Sequence, residues 1–556
     1  MSETNLRVFG IDLGTTYSAI SYVDETGRPS VCRNTESLET TPSVVFFENE
    51  SNVVVGSVAK NSAVTNPDRV VSLIKREMGA DAPRIFDGKT HTPESISALI
   101  LKQLAQDAAE HTGSEVKQVV ITVPAYFGML ERDATKNAGK IAGLDVIGIV
   151  PEPVAAALHY DATTEGGERT ILVYDLGGGT FDTTVIRVTA NEITVLCTDG
   201  DDHLGGADWD ARLREHLLTQ FAQQVPPEVD VEDDEEFLQA LATISEETKK
   251  QLSRLESRPV ALRGAGASAR VDVTRAQFED LTKDLLDKTI DIVRRTLATL
   301  AEKSPGTTID DVLLVGGSSS MPAVARRLSA EFGWTPKLHD PHLAVTKGAA
   351  LFALGRVVHR EVDEARAQAG SPADAETLVA EAVDTVAART GITSARLQGL
   401  VKETHNVLPK AFGVKLIDTT SPGWRSEPTR EYVEHLVHAN DTLPTDDRTL
   451  TAYTVEPDQT AVEIELYEQS GVVAGRELSE NKPLTEGRGA IDGLPPLPEG
   501  APIDIVMRVD DEGLLDLSAT ERGTGKTLRI QVRVSVLSAE QVEEATRTVS
   551  GLTVTG

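Results

Sequence analysis

Short apolar runs and longer stretches of helical period take turns through the first 190 residues. "RVFGIDLG", "SAISYV", "QVVITVP", "RTILVYDLGGG" and "TTVIRV" read as strands, and "ESISALILKQLAQDAAEH" and "ERDATKNAGKIAG" read as helices. That alternation predicts an α/β architecture. Thr92, Pro93 and Glu94 form a capping pattern, and Ile96, Leu99, Ile100 and Leu104 recur at helical spacing behind it. Helices dominate the expectation from 207 to 300, interrupted by the acidic loop "PPEVDVEDDEEF", and strand, turn and helix return at "DVLLVGGSSSMPAVARRLSAEF".

The texture changes at 360. Ser371-Pro372 is a helix start, Leu378, Val379, Ala382, Val383 and Val386 mark an apolar face, and Gly391 is a stop. From about 407 the period becomes two: "AVEIELYE", "IDIVMRV", "LLDLSATE" and "LRIQVRVSV" are strands divided by turns such as "DDEG" and "RGTGK". The expected division is a nucleotide-binding domain over 1–358, a helical connector over 359–406, a compact β domain over 407–537 and a short tail over 538–556. A short helix is expected in the tail at "SAEQVEEATRT".

Composition narrows the picture. A chain of 556 residues needs several cores. A net charge of −33 argues against a nucleic-acid partner, which requires clustered Lys and Arg. Two cysteines, Cys32 and Cys197, exclude a disulfide framework and a cysteine-based zinc site. No run of 18 apolar residues occurs and the opening "MSETNLRVFG" has no basic stretch followed by an apolar one, so the expectation is a soluble, cytoplasmic protein with no membrane partner.

The candidate chemistry lies in two matching turns. "GIDLGTTYS" (Gly10–Ser18) and "YDLGGGTFD" (Tyr174–Asp182) each place Asp-Leu-Gly and then Gly or Thr at a strand end, with Asp12 and Asp175 lying 163 residues apart. Glycine-rich turns leave backbone N–H groups open to phosphate oxygens. Neither turn contains a lysine, so a hydrated Mg²⁺ held by an aspartate at each strand end would neutralise a polyphosphate. The repeat reads as a duplication whose halves close over one nucleotide. "GTGKT" at Gly523–Thr527 is no P-loop: Thr520 stands where the first glycine belongs, and the segment joins two β-like runs, as a hairpin turn does.

With "TVPAYF", "HLGGADWD" and "VGGSSSMP", the two turns closely resemble the ATPase domain of the DnaK-type chaperones, the seventy-kilodalton heat-shock proteins of the actin-like ATPase superfamily. The resemblance covers nearly the whole chain. It implies a duplicated, two-lobed actin-like ATPase domain followed by a β-sandwich substrate-binding domain. It implies ATP or ADP with Mg²⁺ as ligands, and K⁺ as a further candidate ion. Gly14, Thr15, Thr16 and Tyr17 would hold the β- and γ-phosphates, Gly177, Gly178, Gly179 and Thr180 would form the opposite loop, and Asp12 and Asp175 would orient Mg²⁺ through waters. Lys75 matches the catalytic lysine, Glu152 the glutamate that links water and metal to the interdomain relay, and Asp182 would position the water. Gly205, Gly206, Glu246, Lys249, Lys250 and Ser253 would contact adenosine, with Gly316, Gly317 and Ser318 on the other side of the base. Val414, Ile417, Val455, Val462 and Ile464 match positions lining the peptide groove.

Four features depart from the family pattern. Ser320 replaces an arginine able to stack on adenine, removing a contact worth about 0.5–2 kcal/mol. The span from Lys75 to Glu152 is short, the usual linker is not recognisable, and the sequence stops soon after "RVSVLSAEQVEEA", so the family's helical lid is expected to be missing. The leading expectation is an ATP-hydrolysing chaperone acting on apolar client segments, with a J-domain partner and a nucleotide-exchange factor implied by the resemblance. The alternative is a nucleotide-switched scaffold for one partner. A sugar kinase of the same superfamily would leave the β domain idle.

Overall fold

The computed structural model describes residues 6–556 except 165–166, 228, 230, 232–233, 421–423, 425–429, 472, 511–512 and 533–535, and only the backbone of 485–486. Three antiparallel strands open the first lobe: β1 (Phe9–Asp12), β2 (Tyr17–Val23) and β3 (Pro29–Val31). A small sheet follows, made of β4 (Val45–Phe47), β5 (Asn52–Val55) and β6 (Val70–Val71). Helix α1 (Pro93–Thr112), β7 (Gln118–Val123), α2 (Met129–Ile141) and β8 (Asp145–Pro151) complete the lobe. The main-sheet order is β8-β7-β1-β2-β3, with β1 parallel to β7 and antiparallel to β2.

After α3 (Glu152–Thr163) the plan repeats. β9 (Arg169–Leu176), β10 (Phe181–Val188) and β11 (Glu192–Asp201) are antiparallel; α4 (Gly206–Gln224), α5 (Glu235–Leu252) and α6 (Lys283–Lys303) follow, then β12 (Asp311–Val315) and β13 (Lys337–Leu338). The order β13-β12-β9-β10-β11, again with one parallel and one antiparallel neighbour beside the first strand, is that of the first lobe. The central strands β7, β9 and β10 are buried on both faces nearly throughout. Between α5 and α6 stands a hairpin, Ser257–Gly264 with Ala267–Thr274, where the sequence reading expected helix. Val260, Leu262, Val271 and Val273 alternate toward its buried side, a period of two that the surrounding helices masked.

Helix α7 (Ala344–Gln368) crosses α3 between the lobes. A Cβ on Gly348 would lie 1.7 Å from the carbonyl oxygen of Ala155, and one on Gly10 would lie 2.1 Å from the amide nitrogen of Ala350, so small residues at these points set how close the helices and sheet approach. α7 runs unbroken through 358–359, where a domain boundary was expected. The connector is α8 (Pro372–Thr390), with Ser371 as N-cap and Gly391 left-handed at its end, and α9 (Ser394–Leu400). Strand β14 (Glu403–His405) then adds in parallel to the edge of β11. The connection that the sequence left unrecognised is therefore a strand of the second-lobe sheet.

The β domain stacks the sheet β16-β15-β18-β19 on β17-β20-β21-β22. Its strands are β15 (Phe412–Ile417), β16 (Glu431–Val437), β17 (Arg448–Tyr453), β18 (Val462–Gln469), β19 (Asn481–Ile491), β20 (Pro502–Val509), β21 (Leu515–Glu521) and β22 (Thr527–Val532). "GTGKT" is the β21–β22 turn, held by Glu521 accepting from the N–H groups of Gly523 and Thr524 at 2.7 and 2.6 Å. The expected tail is no loose end. α10 (Ala539–Ser550) and β23 (Thr553–Thr555) return to the first lobe, where Leu537, Val549, Leu552 and Val554 join its core. Among the described residues no helix is long and apolar enough to cross a membrane.

The α3–α7 crossing yields a paired test. Gly348→Ala should destabilise the protein by about 1–3 kcal/mol through overpacking. Gly355→Ala, where the nearest neighbour is 4.0 Å away, should be neutral or stabilise by up to about 1 kcal/mol through helix propensity. Urea denaturation of both variants measures the difference.

Candidate functional site

The duplication brings equivalent strand ends together. Asp12 closes β1, Asp175 lies one residue from the end of β9, and Asp182 faces Asp175 across the β9–β10 pair. The loops after β1 and β9 meet: a Cβ on Gly178 would fall 2.2 Å from Thr16 Oγ1, and one on Gly179 would fall 2.3 Å from Thr15 Cγ2. Side chains other than hydrogen at these two positions would wedge the lobes apart. Gly177 N–H donates to Thr180 O at 3.0 Å, which folds the second loop back on itself.

Lys75 and Glu152 form a buried ion pair in this cleft. Lys75 sits in a short 3₁₀ turn (Ile74–Glu77) whose entry residue, Leu73, has φ +59°, and Glu152 is the first residue of α3, where the helix dipole favours a carboxylate. Lys75 Nζ donates to Glu152 Oε1 at 2.5 Å. Asp12 Oδ1 accepts from Thr122 Oγ1 at 3.2 Å, and Asp182 Oδ1 accepts from Tyr126 N–H at 2.9 Å. Burial, with the nearby charge of Glu152, pushes Asp12 and Asp182 up to about 7. The same two causes, joined by Asp182 and Asp12, raise Asp175 well above the usual carboxylate range. Four carboxylates thus share the cleft with Lys75, with the buried guanidinium of Arg132 acting on Asp182, and buried charge of one sign is costly without enough compensating cations.

This donor set fits a hydrated hard cation. Among the described residues, the trio of ligating groups close enough to bind one ion directly is Glu192, Glu403 and His405, on the β11–β14 edge. The cleft carboxylates stand wider apart, as suits Mg²⁺ that keeps its waters.

The expected adenosine residues divide. Gly206 N–H donates to Gly177 O at 3.0 Å, and a Cβ on Gly206 would lie 2.3 Å from Ser318 Oγ. A Cβ on Gly205 would lie 2.5 Å from the amide nitrogen of Gly179, and one on Gly316 would lie 2.4 Å from Asp175 Oδ1, so these glycines gather around one cradle. Gly317 faces the imidazole of His342. Lys249 is engaged internally, donating to Gly206 O and Asp210 Oδ2, both at 2.7 Å. Ser253 ends α5, its hydroxyl donating to Lys249 O at 3.4 Å.

Glu246 and Lys250 take part in a bridge across the cleft. Lys60 and Lys250 both pair with Glu246, and all three side chains meet the Tyr17 hydroxyl. Burial opposes the charge on Glu246, yet the two lysines outweigh it and bring its carboxyl down to about 2. The Tyr17 side chain therefore reaches across to the second lobe, while its backbone opens β2 directly after the first loop. Sequence reasoning missed Lys60, whose neighbours carry no motif. It also missed Arg76, which donates to Gly179 O at 3.0 Å and to Asp208 at 2.6 Å. Arg76 adjoins Lys75 in "SLIKREMG", and that position was the available signal.

The expected groove residues lie at different depths in the β domain. Val414 and Ile464 are 1% and 5% exposed in the β-domain core, and Val462 packs against that core. The pleat turns these side chains inward between the two sheets. Ile417 and Val455 are half-buried.

Two repeated mixed sheets thus close on one acidic, glycine-lined cleft, with a two-sheet β domain beyond them, an arrangement consistent with a two-lobed actin-like domain followed by a β domain. A family model described as Hsp70 protein matches residues 8–86, 83–365 and 389–551, and the chain belongs to the Hsp70 family.

A carboxylate raised from 3.8 to about 7 keeps its proton in the folded state after the unfolded chain has lost it. These groups therefore favour the nucleotide-free fold as pH falls from about 7 to about 4, and disfavour it above that window. Asp12→Asn should raise the thermal midpoint of the nucleotide-free protein by about 1–3 °C at pH 8 and by less at pH 5. The same variant should weaken magnesium-dependent nucleotide binding at least tenfold, read by calorimetry.

Proposed function

We propose that the protein hydrolyses ATP in the cleft between its lobes and uses the nucleotide cycle to govern the β domain's hold on apolar protein segments. The buried Lys75–Glu152 pair at the junction of the two glycine loops carries this reading. Backbone N–H groups of Gly14–Tyr17 and Gly177–Thr180 would bind phosphate oxygens from opposite sides. Mg²⁺ would be held by Asp12 and Asp175 and would neutralise charge on the polyphosphate. Lys75 would place a fixed positive charge beside the terminal phosphate, and Glu152 and Asp182 would orient the attacking water. Phosphoryl transfer asks for such positioning and charge stabilisation more than for covalent chemistry.

A dedicated partner-binding role is the second reading. The inward packing of Val414 and Ile464 favours it, since side chains held in the β domain's own core are out of reach of an incoming peptide. Suppression of aggregation across several unrelated clients would favour the first reading; binding confined to one partner would favour the second.

Lys75→Ala should lower single-turnover ATP hydrolysis by about 10²-fold or more while nucleotide still binds. Turnover like that of the unaltered protein would remove Lys75 from the mechanism.

A further inference from the structure

The β domain touches both lobes. On the first, Met129 N–H donates to Glu468 Oε1 at 3.2 Å, Tyr126 donates to Gly471 O at 3.3 Å, and Lys410 pairs with Glu131 at 3.7 Å. On the second, Thr198 N–H donates to Asn440 Oδ1 at 2.8 Å, and Lys303 donates to Asn440 O. The chain entering the β domain is fixed to the second lobe through β14 on the edge of β11, where Glu403 N–H donates to Asn191 O at 2.9 Å. Lys402, just before it, pairs with Asp161 at 2.8 Å.

The chain leaving the β domain is fixed to the other lobe. β23 adds in parallel to β5, with Thr553, Val554 and Thr555 opposite Asn52, Val53 and Val54. Thr553 N–H donates to Ser51 O at 2.8 Å. Lys102 on α1 donates to the carbonyls of Val549 and Leu552 at 3.2 and 3.0 Å, tying the end of α10 and the turn after it to the first lobe. Leu537, Val549, Leu552 and Val554 lie within the first-lobe core.

We infer that residues 537–555 are a latch: with β14 on the second lobe, they fasten the β domain across both lobes and keep it docked whether or not the cleft holds a nucleotide. A module fastened at one end can swing away on its linker. A module fastened at both ends, to two different sheets, can leave only if one sheet loses a strand. The inference does not depend on the chemistry of the cleft.

Pulsed electron spin resonance on the full chain tests it, with spin labels at Glu39→Cys on the first lobe and Arg529→Cys on the β domain, both exposed sites. Cys32 and Cys197 are buried and their thiols are pushed up to about 12 by that burial, so they stay unlabelled. The full chain should give one narrow distance distribution, the same without nucleotide and with ATP and magnesium. A chain ending at Val536 should show a second, longer and broader population. Should the shortened chain fail to fold, Val554→Asp in the full-length chain, which places a charge in the latch's buried strand, should give the same second population. A broad distribution in the unaltered chain would overturn the inference, as would an undisturbed narrow one in the variants.

Discussion

The cleft is organised by an imbalance of buried charge. Asp12, Asp175, Asp182 and Glu152 converge on Lys75, whose ammonium is committed to Glu152. No arrangement of this kind is comfortable in a folded chain by itself, because each carboxylate leaves water for a setting in which its neighbours repel it. The strand ends hold the groups in place nonetheless, since β1, β9 and β10 are central strands of two well-covered sheets. Stability built into the sheets offsets discomfort at their ends, and the site keeps a standing preference for whatever positive charge can enter.

Around that centre the lobes are joined by contacts of two different characters. At the back, α3 and α7 approach through backbone and small side chains, a contact that leaves little room to adjust. At the rim, Tyr17, Lys60, Glu246 and Lys250 on one side and Arg76 with Asp208 on the other form ion pairs between long side chains. Partly exposed pairs of this kind contribute modestly and are weakened by salt. The rim can therefore part while the back holds, which is the mechanical character of a jaw.

Much of this was legible in the sequence because the signals were local. The two Asp-Leu-Gly turns, the helix start at Ser371-Pro372 with its stop at Gly391, and the rejection of "GTGKT" as a P-loop all rest on residues within a few positions of one another. The features that escaped depend on long-range packing. The 257–274 hairpin alternates correctly but sits among helices, and the three residues of β14 are too few to show a period. Val554 gives no hint that its partner is Val53, some 500 residues earlier in the chain. For Val414 and Ile464, only the register of two stacked sheets decides which way the side chains turn.

The continuity of α7 has a geometric consequence. From its crossing point at Gly348 to its end at Gln368 the helix runs for about 30 Å as one rigid rod. Pivoting it by a single degree at the crossing sweeps the far end through about 0.5 Å. The connector helices are seated against that far end, so a rotation too small to notice beside the nucleotide loops arrives there as a shift large enough to forfeit about a quarter of the attraction in a packed contact.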